Sequence, residues 1–255
     1  MTGSLTFFPV PHLPLVSPGD DIAALIAAAL KAAGQSLLAG DIVIIAQKIV
    51  SKAENRFVDL KTVTPSARAV ELAKITRKDP RQVEVILWDT AEIIRAKPGV
   101  LIVQHRAGFI SANAGLDHSN VAPEADEIVL RLPADSDASA RRIRTGLARL
   151  TGQNPPVLIV DSHGRPWRIG TTGVVIGLAG LKPVQDLRGH PDLFGNRLQH
   201  TEVAFADQLA AGASLVMGQA TESCPVVIAR GVEYEPDDTA RAADVLRAKK
   251  NDLFR

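Results

Sequence analysis

Glu92-Ile93-Ile94-Arg95-Ala96-Lys97-Pro98-Gly99-Val100-Leu101-Ile102-Val103-Gln104-His105-Arg106-Ala107-Gly108-Phe109-Ile110-Ser111-Ala112-Asn113 is the stretch that decides the fold class. Its short β-like runs are separated by two turn signals, Lys97-Pro98-Gly99 and Arg106-Ala107-Gly108. Strands joined by tight turns pair antiparallel, so the segment predicts a meander. Strict βαβ alternation does not produce one, and the chain is expected to be α+β, with mixed or antiparallel sheets and flanking helices.

Upstream, Asp20-Asp21 precede Ile22, Leu25, Ile26 and Leu30 at helical spacing, and Gly34 offers a stop. Asp41-Ile42-Val43-Ile44-Ile45 reads as a short buried strand that opens onto the polar run Gln47-Lys48-Ile49-Val50-Ser51-Lys52-Ala53-Glu54. Thr64 before Pro65, and Asp79 before Pro80 with Gln82, predict two helix starts. Their buried faces are expected to be Val70, Leu72 and Ile75, then Val83, Ile86 and Leu87.

Downstream comes the polar loop Asn113-Ala114-Gly115-Leu116-Asp117-His118-Ser119-Asn120, then a strand candidate over Ile128 to Leu132 and a helix from Asp135-Ser136 to near Gly152. Val157-Leu158-Ile159-Val160 is a second buried strand, which is expected to end at Asp161-Ser162-His163-Gly164-Arg165. A glycine-rich stretch from Gly170 to Gly180 leads to a loop over Asp186 to Gly195. Glu202 to Met217 predicts a helix with Val203, Ala206, Leu209, Ala210 and Ala213 on one face. Val226-Val227-Ile228 is the last strand, before a short terminal helix around Thr239 to Lys250.

Composition narrows the function classes. The chain has 255 residues, 46% hydrophobic, with 29 Lys plus Arg against 28 Asp plus Glu and only 4% aromatics. A net charge of +1 gives no field for a polyanion, and stacking platforms are scarce, so nucleic acid is not the expected partner. Cys224 is the one cysteine, which excludes an internal disulfide and a multi-cysteine metal site and fits a reducing cytoplasm. The first basic residue is Lys31, so no secretory signal is expected, and Ile169 to Leu181 is too short and glycine-rich to span a membrane.

Three local patterns carry chemistry. The loop from Asn113 to Asn120 offers the oxygens that hard divalent cations prefer, although Asn and Asp also bond their own backbone in ordinary turns. Asp161-Ser162, with His163, Arg165 and Arg168 nearby, reads as a second metal or phosphate cluster or as a polar hairpin turn. Lys52 and Glu54 suit a phosphate or metal, or form a solvated charge pair. The glycine-rich stretch fits neither common nucleotide-binding loop and reads rather as close backbone packing. No nucleophilic triad is legible, and Cys224 reads as core.

Taken in order, these segments resemble the coenzyme F-420:L-glutamate ligases. The matching pieces are Gln47 to Glu54, Asn113 to Asn120, Asp161 to Arg165, Arg168 to Gly195 and Glu202 to Gly231, and the likeness runs from Pro11-His12-Leu13-Pro14-Leu15 to Arg230-Gly231. The resemblance implies one unit over residues 1–255, built as two closely interlocked subdomains without the fused nitroreductase-like domain of some relatives. It also implies a cytoplasmic homodimer in which GTP activates a carboxylate of the F-420 precursor as an acyl phosphate for capture by L-glutamate, giving gamma-glutamyl amides.

By position, the resemblance makes Asp117 and Asp161 the catalytic, metal-holding carboxylates for two divalent ions, Mg or Mn, with Ser162 and Gln219 as further ligands. Potassium is a further candidate. It places nucleotide contacts at His12, Leu13, Pro14, Leu15, Ala46, Gln47, Ser51, Lys52, Asn120 and the run Met217-Gly218-Gln219-Ala220-Thr221-Glu222. Where family members can carry Glu, this chain has Gln219, and either Gln219 or Glu222 is a candidate to complete the second metal site. Arg165 and Arg168 are candidates for phosphate or substrate carboxylate on charge and location alone. Two other readings of the same residues are a non-catalytic nucleotide or deazaflavin binder and a metal-dependent phosphohydrolase.

Overall fold

The computed structural model describes residues 3–121 and 127–253. The chain begins β1 (Thr6–Pro9), α1 (Ile22–Ala32), β2 (Ile42–Ala46) and α2 (Gln47–Ala53). It continues through β3 (Phe57–Asp59), α3 (Ala67–Thr76), α4 (Pro80–Trp88), β4 (Thr90–Lys97), β5 (Val100–His105), β6 (Ile110–Ala112) and β7 (Ile128–Leu130). It closes with α5 (Ser136–Thr151), β8 (Val157–Arg165), β9 (Arg168–Ala179), β10 (Gln185–Asp186), β11 (Glu202–Val203), α6 (Phe205–Met217) and β12 (Val226–Arg230). The α+β class is as expected.

A five-stranded sheet in the order β1-β12-β2-β8-β9 forms the larger unit. Only β2 and β8 run parallel, with Val43 opposite Val157 and Ala46 opposite Val160. Their uninterrupted apolar runs follow from burial of both faces, since side chains alternate along a strand. Val43, Ile45, Val157 and Ile159 join one core with Ile26 of α1 and Ile143 of α5. Ile42, Ile44, Leu158 and Val160 join the other with Leu209 and Ala213 of α6. Gly173 and Gly177 of β9 serve this packing: a Cβ at Gly173 would sit 2.2 Å from Ser214 Oγ and 2.4 Å from Ala210 O of α6, and one at Gly177 would sit 2.4 Å from Ser136 Cβ of α5.

The smaller unit is inserted between α2 and α5. It contains the expected meander, β4-β5-β6, paired antiparallel throughout. Leu72, Val83, Ile86, Leu101 and Val103 form its core, and Leu60, Val63, Val85 and Val129 form a satellite under the β3-β7 ribbon. Its two connections to the sheet lie side by side, because Arg131 N–H donates to Arg56 O at 3.1 Å and Arg56 Nε to Leu132 O at 2.9 Å.

Several expectations are corrected. α3 is capped by Ser66, whose hydroxyl accepts from Ala69 N, rather than by Thr64. It buries Ala69, Leu72 and Ala73 while Val70 and Ile75 are exposed, because small residues permit close packing on α4. The Glu202 to Met217 helix starts only at Phe205, since Glu202–Val203 pairs with β10 as a strand. The terminal helix is reduced to two single 3-10 turns, Ala242–Val245 and Lys249–Asn251. β8 continues to Arg165 in a hairpin with β9, so Asp161 lies within a strand and not at its terminus. It is, however, the first residue of β8 beyond the pairing with β2, which stops at Ala46.

Candidate functional site

The end of the β2-β8 pairing opens a cleft of about 650 Å³ at the seam between the two units. Leu13, Pro14, Leu15, Ala46, Gln47, Lys52, Asn120, Asp117, Asp161, Ser162 and the whole run Met217 to Glu222 line it. That volume suits a nucleotide-sized ligand. His12 and Ser51 are not on its wall, and neither are Arg165 and Arg168, which lie further along the β8-β9 hairpin.

Asp117 reaches the cleft from the smaller unit. Asn113, Ala114 and Gly115 take left-handed backbone with φ of +53°, +53° and +70°, which reverses the chain after β6. Glycine is needed at position 115 on two counts, because a Cβ there would also lie 2.7 Å from Leu132 Cδ1. Beyond the reversal, Asp117 exchanges both backbone hydrogen bonds with Leu130, each 2.9 Å long, and is thereby pinned to the end of β7.

Side chains of α2 then hold the carboxylate. Gln47 Nε2 donates to Asp117 Oδ2 at 2.6 Å, and Ser51 Oγ donates to Gln47 Oε1 at 2.9 Å. Ser51 is fully buried and acts on the cleft through Gln47. Lys48 Nζ lies 3.3 Å from Asp117 Oδ1 and donates to Ser119 O at 2.8 Å. Burial raises the pKa of Asp117, the Lys48 ammonium opposes the rise, and the negative charge of Asp161 adds to it. The two carboxylates, 44 residues apart by numbering (161 − 117), therefore share one electrostatic environment. Lys52 is pulled down by burial and by Lys48, and pulled back up by Asp117.

The third element is the turn after α6. Asn120 Nδ2 donates to Ala220 O at 3.0 Å, joining the Asp117 loop to the Met217–Glu222 run. Glu222 Oε2 accepts from Ala220 N at 2.7 Å, and backbone N–H groups lower its pKa. Glu222 is thus turned onto its own loop, while Gln219 is exposed. Glu54 is also engaged elsewhere: it bonds Ser139, Ala134 N and, at 2.6 Å, Arg142 at the start of α5, so it orients that helix and not a ligand in the cleft.

Among the described residues no three His, Cys, Asp or Glu side chains converge as a ready metal cluster. The cleft nevertheless fits a hard cation by donor chemistry. Two carboxylates stand with neutral oxygens from Ser162 and Gln219, and Mg or Mn commonly completes such a partial protein set with phosphate and water. Lys48 is the cleft-wall side chain beside Asp117 that the residue pattern left unassigned. Its spacing of four from Lys52 puts both ammonium groups on one helix face, which is the signal that could have found it.

Residues 11–231 match the F420-0:gamma-glutamyl ligase family. The chain belongs to that family. It is 46% identical over 247 residues to the coenzyme F420:L-glutamate ligase of Methanothermobacter thermautotrophicus, covering 96% of this chain and 97% of the relative. It is 43% identical over 255 residues to that of Methanopyrus kandleri, covering 99% and 98%, and 37% identical over 246 residues to that of Methanosarcina barkeri, covering 96% and 93%. The span matched to the F420-0:gamma-glutamyl ligase family includes every residue on the cleft wall, from Leu13 to Pro225. No helix among the described residues is long and apolar enough to cross a membrane.

Proposed function

We propose that this chain is a GTP-dependent ligase that adds L-glutamate to the coenzyme F-420 precursor through gamma-glutamyl amide links. The observation that carries the reading is that Asp117, from the smaller unit, and Asp161, from the main sheet, both line one nucleotide-sized cleft, in a chain of the F420-0:gamma-glutamyl ligase family.

Making an amide from a carboxylate requires an activated acyl group. In the reading offered here, an oxygen of the precursor carboxylate attacks the γ-phosphorus of GTP, GDP leaves, and an acyl phosphate forms. The amine of glutamate then attacks the acyl carbon, phosphate departs, and the proton lost from nitrogen passes to solvent. Neither step needs a protein nucleophile, which agrees with the lack of a triad. The protein's task is alignment and charge neutralisation.

Asp117 and Asp161, with Ser162 and Gln219, would hold Mg or Mn, whose chemistry is to neutralise phosphate charge as the bond to the leaving group breaks. Potassium would assist at the same phosphates. Lys48 and Lys52 bring two ammonium groups to the cleft wall for the same purpose. Leu13, Pro14 and Leu15 offer backbone and apolar surface to the nucleotide, and Asn120 ties the two loops that enclose it. A homodimer belongs to the same reading. It is supported by large apolar side chains left exposed on the β8-β9 tip and the following loop, Trp167, Ile169, Leu193 and Phe194. The reaction is placed in the cytoplasm, where its triphosphate is made.

The test is turnover of the purified protein with GTP, Mg, L-glutamate and precursor, followed by mass spectrometry. Glutamylated product with stoichiometric GDP is expected. Tight GTP binding without product would replace the ligase with a binding protein, and GTP loss independent of acceptor and glutamate would replace it with a phosphohydrolase.

A further inference from the structure

Asp117 and Asp161 are held in the same way by unrelated parts of the chain. Asp117 Oδ2 receives the Gln47 amide at 2.6 Å, and Asp161 Oδ2 meets His163 Nε2 at 3.0 Å. A carboxylate only accepts, so the imidazole carries its proton on Nε2 and donates it to Asp161. The pair is mostly enclosed, with side-chain exposures of 10% for His163 and 14% for Asp161.

The histidine ring is itself placed by the smaller unit. Phe109, in the turn between β5 and β6, packs against it at 5.4 Å between centroids with a 46° tilt. Phe109 is in turn stacked on His105, at 4.7 Å and 4°. His105 Nδ1 accepts from Ala107 N at 3.0 Å, and this fixes the turn that carries Phe109. His105, Phe109 and His163 thus form one column of rings running from the meander to the second carboxylate.

We infer that His163 is the positioning residue of Asp161: it commits Oδ2 to the imidazole, leaves Oδ1 for a divalent cation, and is clamped in that pose by Phe109. The inference rests on the reading of Asp161 as a metal-holding residue. Ligating carboxylates are usually oriented by such outer hydrogen bonds, whose loss weakens metal binding about 10- to 100-fold. On its strand, His163 neighbours Ser162, and it is two residues from Asp161, so both face the same side of the hairpin.

The test titrates the intact protein with Mn²⁺ alone and follows the free ion by electron paramagnetic resonance, so that turnover is not the readout. His163→Leu is expected to weaken Mn²⁺ binding about 10-fold, and His163→Gln, whose Nε2 can replace the imidazole donor, to recover most of it. Phe109→Leu, which loosens the ring without touching the carboxylate, is expected to weaken binding by a smaller factor and serves if His163→Leu does not fold. Asp161→Asn is the reference. Weakening in Asp161→Asn with wild-type binding in His163→Leu, or in Phe109→Leu where it stands in, would overturn the inference alone. Wild-type binding in Asp161→Asn would remove the metal-holding reading and the inference with it. Equal loss in His163→Leu and His163→Gln would show that ring packing matters and the hydrogen bond does not, which also overturns it.

Discussion

The wall that carries Asp161 is a sheet closed on both faces by helices, whereas the wall that carries Asp117 is a left-handed chain reversal hung from a smaller unit. Asp161 inherits its place from backbone pairing along β8 and β9. Asp117 is fixed by a single backbone exchange with Leu130, and its carboxylate depends on side chains reaching across the seam, Gln47 and Lys48 from α2. The difference separates two ways of placing a charge. A strand places it by register, where a slip would disturb a whole core, and a loop places it by a few contacts that can be changed singly.

Substitutions can break or sharpen this contrast. The largest effect is expected at the carboxylates: Asp117→Ala and Asp161→Ala should each lower turnover about 100- to 1000-fold, as losses of one electrostatic stabiliser do. Rates of GDP release measured on folded protein check this, and a variant that keeps wild-type turnover strikes that residue from the site.

Next come the two cores. Ile44→Ala in the main sheet and Leu101→Ala in the meander should each cost about 2–5 kcal/mol, since both side chains are fully buried. Urea unfolding followed by probes in each unit should show Leu101→Ala melting the smaller unit first. A single coincident transition in both variants would mean that the two units unfold as one.

Smaller still is the bridge between loops. Asn120→Ala removes the bond to Ala220 O and should raise KM for GTP about 3- to 10-fold with kcat little changed, the scale of one hydrogen bond. A fall in kcat at constant KM would instead place Asn120 at the reacting phosphate.

The smallest effect is on stability and has the opposite sign. Burial lifts the folded pKa of Asp117 above its unfolded value, so its ionised form costs stability. That cost is absent below the unfolded pKa, grows as pH rises through the window up to the folded pKa, and is constant above it. Asp117→Asn should therefore melt a few degrees higher than the wild type near neutral pH, with the gap closing in acid. Thermal melts at several pH values check the sign. A variant that melts lower at neutral pH would show that the ties to Gln47 and Lys48 outweigh burial.

What the sequence made legible follows from local physics. Ile42 to Ile45 and Val157 to Val160 announce strands because burial on both faces leaves no polar position, and the glycines at 97–108 turns mark the meander. Asp161 stands out because it follows such a segment, and Asp117 because it lies in a loop dense in side-chain oxygens. The parallel pairing of β2 with β8 was not legible, since nothing local distinguishes it from antiparallel pairing. Val70 and Ile75 misled because apolar residues can sit on an exposed helix face while alanines pack the buried one. Glu54 misled for a different reason: a carboxylate beside a lysine is taken by whichever partner the fold brings, here Ser139 and Arg142. The His163 column was invisible because its rings come from positions 105, 109 and 163 and meet only in space.

The smaller unit enters and leaves through one doorway, where Arg56 and Arg131 are hydrogen-bonded neighbours. The unit is also tied to the main body further out, through Gln47 and Lys48 to Asp117, Asn120 to Ala220 and Phe109 to His163, and the two carboxylates lie among these ties. The spacing between Asp117 and Asp161 is therefore set by several fastenings at once and not by the doorway alone.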